Sequence, residues 1–345
     1  MKQIRLSLIG FGVVGQGFAQ LLATKHDLLR SHFGFEVKLV SVANSRSFIY
    51  REEGLNIPIL LELAAKHVAL TQHPGVQSWD NALAGLHATG GDVLAEVTGT
   101  NLHDAEPGIS HIRAALKQNM HVITANKGPG ALAAIELLHL AHEQHVQLRM
   151  EATVMAGTPV LSTIQEGLAG ARVRSIRGIL NGTTNYILTA MAGGRDYHDV
   201  LAEAQAQGYA ETDPTVDVEG YDAVAKALIL SALVFGHTVT LDQVAREGIT
   251  KVTKDQVHKA AHENKRIKLI TSVHAVTGIG ECPLDVRVEP LALPLTDPLA
   301  RVDGVLNAIT FQTDTLSEVT VIGPGAGSVQ TGQGLLADLI AVARL

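Results

Sequence analysis

Gln3-Ile-Arg-Leu-Ser-Leu-Ile9 runs directly into Gly10-Phe11-Gly12-Val13-Val14-Gly15, and that junction decides the fold. Residues 3–9 are an apolar run of strand length, an amphipathic stretch continues to about residue 32, and a second apolar run follows at 37–43. Strand, Gly-x-Gly-x-x-Gly, helix and strand in that order make a dinucleotide-binding unit. The first glycine permits the tight turn, the second lets a pyrophosphate approach the backbone, and the third lets helix and strand pack. The phosphates then meet the N-terminus of the helix, where unpaired N–H groups favour an anion. Gly10, Phe11, Gly12, Val13, Val14 and Gly15 are therefore cofactor candidates.

The end of the second strand bears on the choice of nucleotide. A carboxylate there would bind the ribose 2′-hydroxyl of NAD and repel a 2′-phosphate. The chain has Ala43-Asn44-Ser45-Arg46-Ser47 instead. With Asn44, Ser45 and Arg46 in that loop NADP is favoured, while a neutral loop also tolerates NAD.

Outward from this unit, helices are predicted over 59–67 and 81–86, then a strand over 92–97 ending in Thr98-Gly99-Thr100. Small hydroxyl and glycine residues at a strand's carboxyl end stand where open α/β sheets hold ligands. A helix over 105–118 leads to a strand at 121–124, which ends Ala125-Asn126-Lys127. Lys127 reads as a loop cation beside the nicotinamide, or more plainly as a solvated lysine. A helix over 131–144 and a strand over 146–151 close a first domain of residues 1–150.

The character of the chain changes at Glu151-Ala-Thr-Val154-Met-Ala156-Gly-Thr158-Pro159, where a kinked loop before a helix through 167 leaves carbonyls to be satisfied by a cation or water. After a strand at 175–180 comes Asn181-Gly-Thr183-Thr-Asn-Tyr186, whose amides and hydroxyls cap a helix or face a ligand. A helix from Asp196 ends at Gly208. There the most charged motif begins: Gly208-Tyr-Ala-Glu211-Thr-Asp-Pro-Thr-Val-Asp217-Val-Glu219-Gly-Tyr-Asp222-Ala-Val-Ala-Lys226. A helix is predicted from 218 with Asp217 as its N-cap and with Glu219, Asp222 and Lys226 on one face. Beyond Lys226 the next charge is Asp242, so the helix is apolar all round and belongs in a core. Lys226 then sits where water ends, with Asp222 one turn away.

A polar helix over 256–266 and strands near 268–276, 284–290, 305–313 and 318–322 read as an α+β domain with a mainly antiparallel sheet, residues 151–322. Gly323-Pro-Gly325-Ala-Gly327 precedes a last helix at 330–344, expected to pack back on the first domain as a segment 323–345. The fold class is α/β: a Rossmann-type dinucleotide-binding domain plus an α+β substrate and dimerisation domain. The 345 residues accommodate both cores. A net charge of −7 with no basic run argues against nucleic acid, and no apolar stretch is long enough to cross a membrane. One cysteine, Cys282, excludes a disulfide framework and fits a reducing cytoplasm. Cys282 reads as a buried or incidental thiol, and His139, His142 and His145 drift around a helix without a metal-binding pattern.

Together these motifs resemble homoserine dehydrogenase over essentially the whole chain; the Gly208–226 motif is the specific part and the glycine loop is not. The resemblance implies NAD(P)-dependent interconversion of L-homoserine and L-aspartate 4-semialdehyde, on the route to threonine, isoleucine and methionine. It puts Lys226 and Asp222 on the family's catalytic pair and Lys127 on its active-site lysine. Glu211, Asp222 and Thr183 match substrate-binding positions, with Asp217 of the same motif beside them, and Gly208 and Gly325 match cofactor contacts. The carbonyls of Glu151, Val154, Ala156 and Thr158 match a sodium site, although Val154-Met155-Ala156-Gly157 is bulkier than the usual glycine-rich version. A homodimer is implied. With the chain ending at Leu345, feedback inhibition through an appended regulatory domain is not expected. Two rivals differ in chemistry: an aspartate-semialdehyde dehydrogenase needs a cysteine nucleophile, for which Cys282 is poorly placed, and a nucleotide sensor has no use for Lys127, Asp222 and Lys226 together.

Overall fold

A computed structural model describes residues 1–276 and 284–345, so the reading of Cys282 lies outside the described residues. The chain divides into two compact units, Met1–Gly157 with Gly327–Leu345, and Thr158–Ala326.

The first unit is built on a seven-stranded sheet of β1 (Lys2–Ile9), β2 (Phe35–Ala43), β3 (Phe48–Tyr50), β4 (Gln77–Trp79), β5 (Val93–Glu96), β6 (His121–Thr124) and β7 (Leu148–Arg149). Their order is β4-β3-β2-β1-β5-β6-β7, parallel from β2 to β7 with β3 and β4 added antiparallel. Parallel strands covered on both faces need near-continuous apolar sequence. Leu6, Leu8, Leu39, Val42, Val93 and Ala95 supply it and are buried with Phe18 and Leu60 from the covering helices. Each such large side chain contributes about 1.5–3 kcal/mol when fully buried. Strand order reverses between β1 and β5, which opens a crevice at the carboxyl ends of these two strands. Gly10 makes the junction possible. Its φ is +107°, and a Cβ there would lie 2.5 Å from the Val97 carbonyl carbon.

Three expected elements differ in this unit. The amphipathic stretch after the glycines is two helices, Val13–Thr24 and His26–His32, broken at Lys25 (φ −100°, ψ 6°). The helix expected from 131 begins at Lys127 and runs Lys127–Glu143, because Asn126 Oδ1 accepts from Gly128 N at 3.1 Å and caps it, with the only non-helical residue at Ala133. Lys127 is thus the first residue of a helix, not part of a loop. The strand expected over 146–151 shrinks to Leu148–Arg149, followed by the single helical turn Ala152–Met155. The final helix, Ser328–Ala343, lies against Val13–Thr24 and contributes Leu335, Leu336, Leu339 and Val342 to the same core.

The second unit holds a six-stranded sheet of β8 (Val173–Ile179), β9 (Ala245–Arg246), β10 (Lys265–Ala275), β11 (Leu284–Pro294), β12 (Leu306–Thr313) and β13 (Glu318–Pro324), in the order β13-β12-β8-β10-β11-β9. All pairs are antiparallel except β11 with β9. Helices Gly182–Ala192, Tyr221–Phe235 and Lys254–His262 pack on β10. The helix expected to run through 167 is instead a short π-helical segment, Thr163–Gly167.

The predicted helix start at Asp217 is corrected. Thr215–Val218 is a single turn that stops, and Tyr221–Phe235 restarts after Gly220, whose φ of +82° is left-handed backbone that a residue with a Cβ adopts only with strain. The break turns Glu219 away from Asp222 and Lys226: its carboxylate accepts from Thr250 Oγ1 at 2.8 Å and pairs with Arg246 at 3.5 Å. Past the break the helix is buried from Ala223 to Ala232, as its apolar sequence requires.

Candidate active site

At the crevice of the first unit, Gly10 N and Phe11 N both donate to Ala43 O at 3.0 Å, which ties the glycine loop to the end of β2. A Cβ on Gly12 would meet nothing within 4 Å, so the mouth of the loop is open at the start of helix Val13–Thr24. Phe11 is buried, Val14 is partly buried, Gly15 lies under the Gly10 carbonyl, and Val13 is exposed. After β2, Asn44 Oδ1 accepts from Arg46 N at 2.9 Å and Ser47 N at 3.0 Å, a local turn that leaves Ser45 and Arg46 exposed. Thr98 N donates to Glu96 at 3.2 Å, Gly99 faces open space, and Lys127 N lies 3.4 Å from Thr100 Oγ1. The 98–100 loop and Lys127 are therefore neighbours at one sheet edge.

In the second unit, the helix Tyr221–Phe235 places Asp222 and Lys226 four residues apart, with Lys226 Nζ 2.8 Å from Asp222 Oδ2. The side chains are 7% and 14% exposed, so this is a buried pair rather than a surface one. Lys226 also donates to the Leu180 carbonyl, at the end of β8. Asn181 follows. Its Oδ1 caps helix Gly182–Ala192 by accepting from Thr184 N at 2.9 Å, and its Nδ2 donates to Asp217 Oδ1 at 2.7 Å and Asp222 Oδ2 at 3.1 Å. Thr183 Oγ1 lies 2.6 Å from the Tyr209 carbonyl and 3.1 Å from Asp217 Oδ2. A hydroxyl has one proton to give, and the shorter contact is to the carbonyl. Burial, then the negative charge of Asp222, pushes the Asp217 carboxyl above its ordinary value, while the hydrogen bonds from Asn181 and Thr183 and the charge of Lys226 act against that shift.

The structure thus brings Lys226, Asp222, Asp217 and Thr183 together. Glu211 is exposed on the loop leading in, with its carbonyl held by Gln205 Nε2 at 3.1 Å. Gly208 has φ +74° just past the end of helix Tyr197–Ala206. Gly325 lies against Asn307, and Thr158 Oγ1 donates to the Pro324 carbonyl at 2.9 Å. Glu151 and the Ala152–Met155 turn belong to the first unit, as does Ala156; Thr158 belongs to the second. Among the described residues no group of three or more His, Cys, Asp or Glu is placed to hold a metal ion, and no helix is long and apolar enough to cross a membrane.

The family model described as homoserine dehydrogenase matches residues 159–340, and the model of that enzyme's NAD binding domain matches 10–151. The NAD(+)-dependent homoserine dehydrogenase of Pseudomonas canavaninivorans is 39% identical over 343 residues, 99% of this chain and 96% of its own. The chain belongs to the homoserine dehydrogenase family. The homoserine dehydrogenase of Methanocaldococcus jannaschii is 38% identical over 334 residues, 96% of each chain. A hyperthermophilic archaeal homoserine dehydrogenase solved in complex with NADPH matches with a TM-score of 0.83 and 28% identity over 99% of this chain and 98% of that one.

As a member of the homoserine dehydrogenase family the chain is an NAD(P)-dependent oxidoreductase, and the family-implied resemblance drawn from the Gly208–226 motif holds. Three groups at this site have contacts that the sequence does not specify. Asn181 reads from sequence either as a cap or as a group facing a ligand. It is a cap and also the amide that bridges two carboxylates. The Leu180 carbonyl and the Tyr209 carbonyl are main-chain groups, which residue type does not reveal.

Proposed function

We propose that this enzyme interconverts L-homoserine and L-aspartate 4-semialdehyde. The buried Lys226–Asp222 pair carries this reading. A bound reduced dinucleotide supplies hydride to the aldehyde carbon. Lys226, positioned by Asp222 and the Leu180 carbonyl, gives a proton to the developing alkoxide and takes it back in the reverse direction. Lys127 polarises the carbonyl oxygen from the nucleotide side. Glu211, Asp217 and Asp222 supply the negative charge that a substrate ammonium needs, and Thr183 orients Asp217. The reaction lies on the aspartate route to threonine, isoleucine and methionine.

Of the two nucleotides NADP is preferred in this proposal, on the strength of the exposed Arg46 guanidinium and the missing carboxylate after β2. The glycine loop, residues 44–46 and 98–100, Gly208 and Gly325 form the nucleotide contacts. A sodium ion at the carbonyls of Glu151, Val154, Ala156 and Thr158 belongs to the same proposal. Ala156, at φ 51° and ψ −115°, ends the one-turn helix Ala152–Met155, whose last carbonyls have no partner within it, and oxygen donors suit a hard cation. Unchanged activity and melting temperature on replacing Na⁺ with choline would remove the ion. A cytoplasmic homodimer completes the picture, supported by the exposed Leu306, Leu316 and Ile322 on and beside the sheet-edge strand β13. Sedimentation as a monomer would remove that assembly.

The deciding assay follows the absorbance of NADPH and of NADH with aspartate semialdehyde. Oxidation of cofactor, with the higher kcat/KM for NADPH, is the expected outcome. Binding without turnover would make the chain a nucleotide sensor, and equal or better use of NADH would overturn the role given to Arg46.

A further inference from the structure

Glu96 is the last residue of β5, fully buried in the middle of the parallel sheet of the first unit, where Val93, Leu94 and Ala95 before it are apolar. A carboxylate taken out of water costs several kcal/mol unless donors replace its hydration. Here donors do. Glu96 Oε1 accepts from Thr98 N at 3.2 Å and from the Thr98 hydroxyl, and His111 Nδ1 lies 3.5 Å away. Glu96 Oε2 accepts from Asn126 Nδ2 at 3.0 Å. Gly108 leaves room for this pair, since a Cβ there would run into Asn126 Nδ2 and lie 3.2 Å from Glu96 Oε2.

We propose that Glu96 is a positioning residue for the reaction: it sets the 98–100 loop and the Asn126-Lys127 turn together, and so fixes dinucleotide affinity and the placement of Lys127. The assignment rests on reading those two loops as the nicotinamide edge. The logic is in the direction of the hydrogen bonds. A carboxylate only accepts, so Asn126 must present its NH₂ to Glu96, which leaves its Oδ1 to accept from Gly128 N and cap the helix that begins at Lys127. The same NH₂ also donates to Thr98 Oγ1 at 3.1 Å. The end of β6 is stitched to the same residue, with Thr124 Oγ1 donating to the Glu96 carbonyl at 2.7 Å and accepting from Asn126 N at 3.0 Å. Neither the 98–100 loop nor the helix start at Asn126-Lys127 can turn its groups without unpairing a donor in the other.

The test exploits that polarity. Glu96→Gln keeps size and shape but sets an NH₂ against either Asn126 Nδ2 or Thr98 N, donor against donor. Kd for NADPH by fluorescence should rise about tenfold, the worth of one lost buried hydrogen bond, and kcat should fall with it as Lys127 moves. The reciprocal variant Glu96→Gln/Asn126→Asp restores a donor facing an acceptor and leaves an Asp oxygen to cap Gly128 N. It should recover Kd and kcat to within about threefold of the parent, on the same hydrogen-bond scale. A Glu96→Gln protein with parental Kd and kcat overturns the proposal, as does a double variant no better than the single one. If Glu96→Gln does not fold, recovery of a folded, NADPH-binding double variant supports the proposal and lack of recovery overturns it. A parent protein that binds no dinucleotide would instead defeat the underlying reading of the loops.

Discussion

Two lysines are buried in the second unit, and they are buried differently. Lys268, on β10, has a side chain 1% exposed whose Nζ lies 2.6 Å from the Val302 carbonyl, 3.0 Å from Asn185 Oδ1, 3.1 Å from Asp303 Oδ1 and 3.4 Å from Thr189 Oγ1. An ammonium has three protons, and here every one has an acceptor. Asn185 in turn donates to the Val302 and Leu306 carbonyls, each at 3.0 Å, so Lys268 pins helix Gly182–Ala192 to the chain before β12. Lys226 is nearly as deep, yet among the described residues it has two partners, Asp222 and the Leu180 carbonyl. Its third proton is available. Burial alone therefore does not single out an amine for the proposed proton transfer; an unspent donor beside a fixed carboxylate is what distinguishes Lys226 from Lys268.

The largest effect should come from taking the amine out of the unspent pair. Lys226→Ala is expected to lower kcat by about 10²-fold or more, the worth of a general acid, with NADPH affinity unchanged. Turnover at the parental rate would erase the distinction between the lysines. The next effect reverses the pattern. Lys268→Met should cost about 2–3 kcal/mol in denaturant unfolding, because the Asn185 and Val302 oxygens lose a buried donor, while kcat/KM measured under folding conditions stays within about twofold. A Lys268→Met enzyme that is as stable as the parent but inactive would put the chemistry at the wrong amine.

What sequence made legible follows the range of the interactions. Gly10 and the strand before it are a local requirement, and so is the i, i+4 spacing of Asp222 and Lys226; both were readable. Gly220 was also in plain sight, but a capping rule applied to Asp217 hid the break. Asp217 is held by Asn181 and Thr183, more than thirty positions away, rather than by the next turn of its own helix. Lys127 reads from sequence as a loop residue because it follows the end of a strand, whereas Pro129 and Gly130 lie in a first helical turn that needs few of its own N–H groups. Glu96 was passed over inside an apolar strand. Its partners come from Thr98, His111 and Asn126, and no periodicity connects them. A charged residue ending a buried parallel strand was the one available signal.

The smallest expected effect is a pH signature of Lys268 itself. Burial lowers its pKa from the ordinary 10.5, with the attraction of Asp303 acting against burial and Arg266 reinforcing it. Between the lowered value and 10.5 the unfolded chain keeps a proton that the folded protein has released, so the unfolded state binds more protons and stability rises with pH across that window. Below it both states are protonated and the cost of the buried charge is constant; above 10.5 both are neutral. The stability of the parent minus that of Lys268→Met should therefore be flat near neutrality and climb at alkaline pH, by less than the truncation itself costs. Subtracting the variant removes the other lysines and tyrosines that titrate there. A difference that falls instead would mean that Asp303 outweighs burial, and that Lys268 is held by its charge rather than by the carbonyl and amide oxygens that fill its donors.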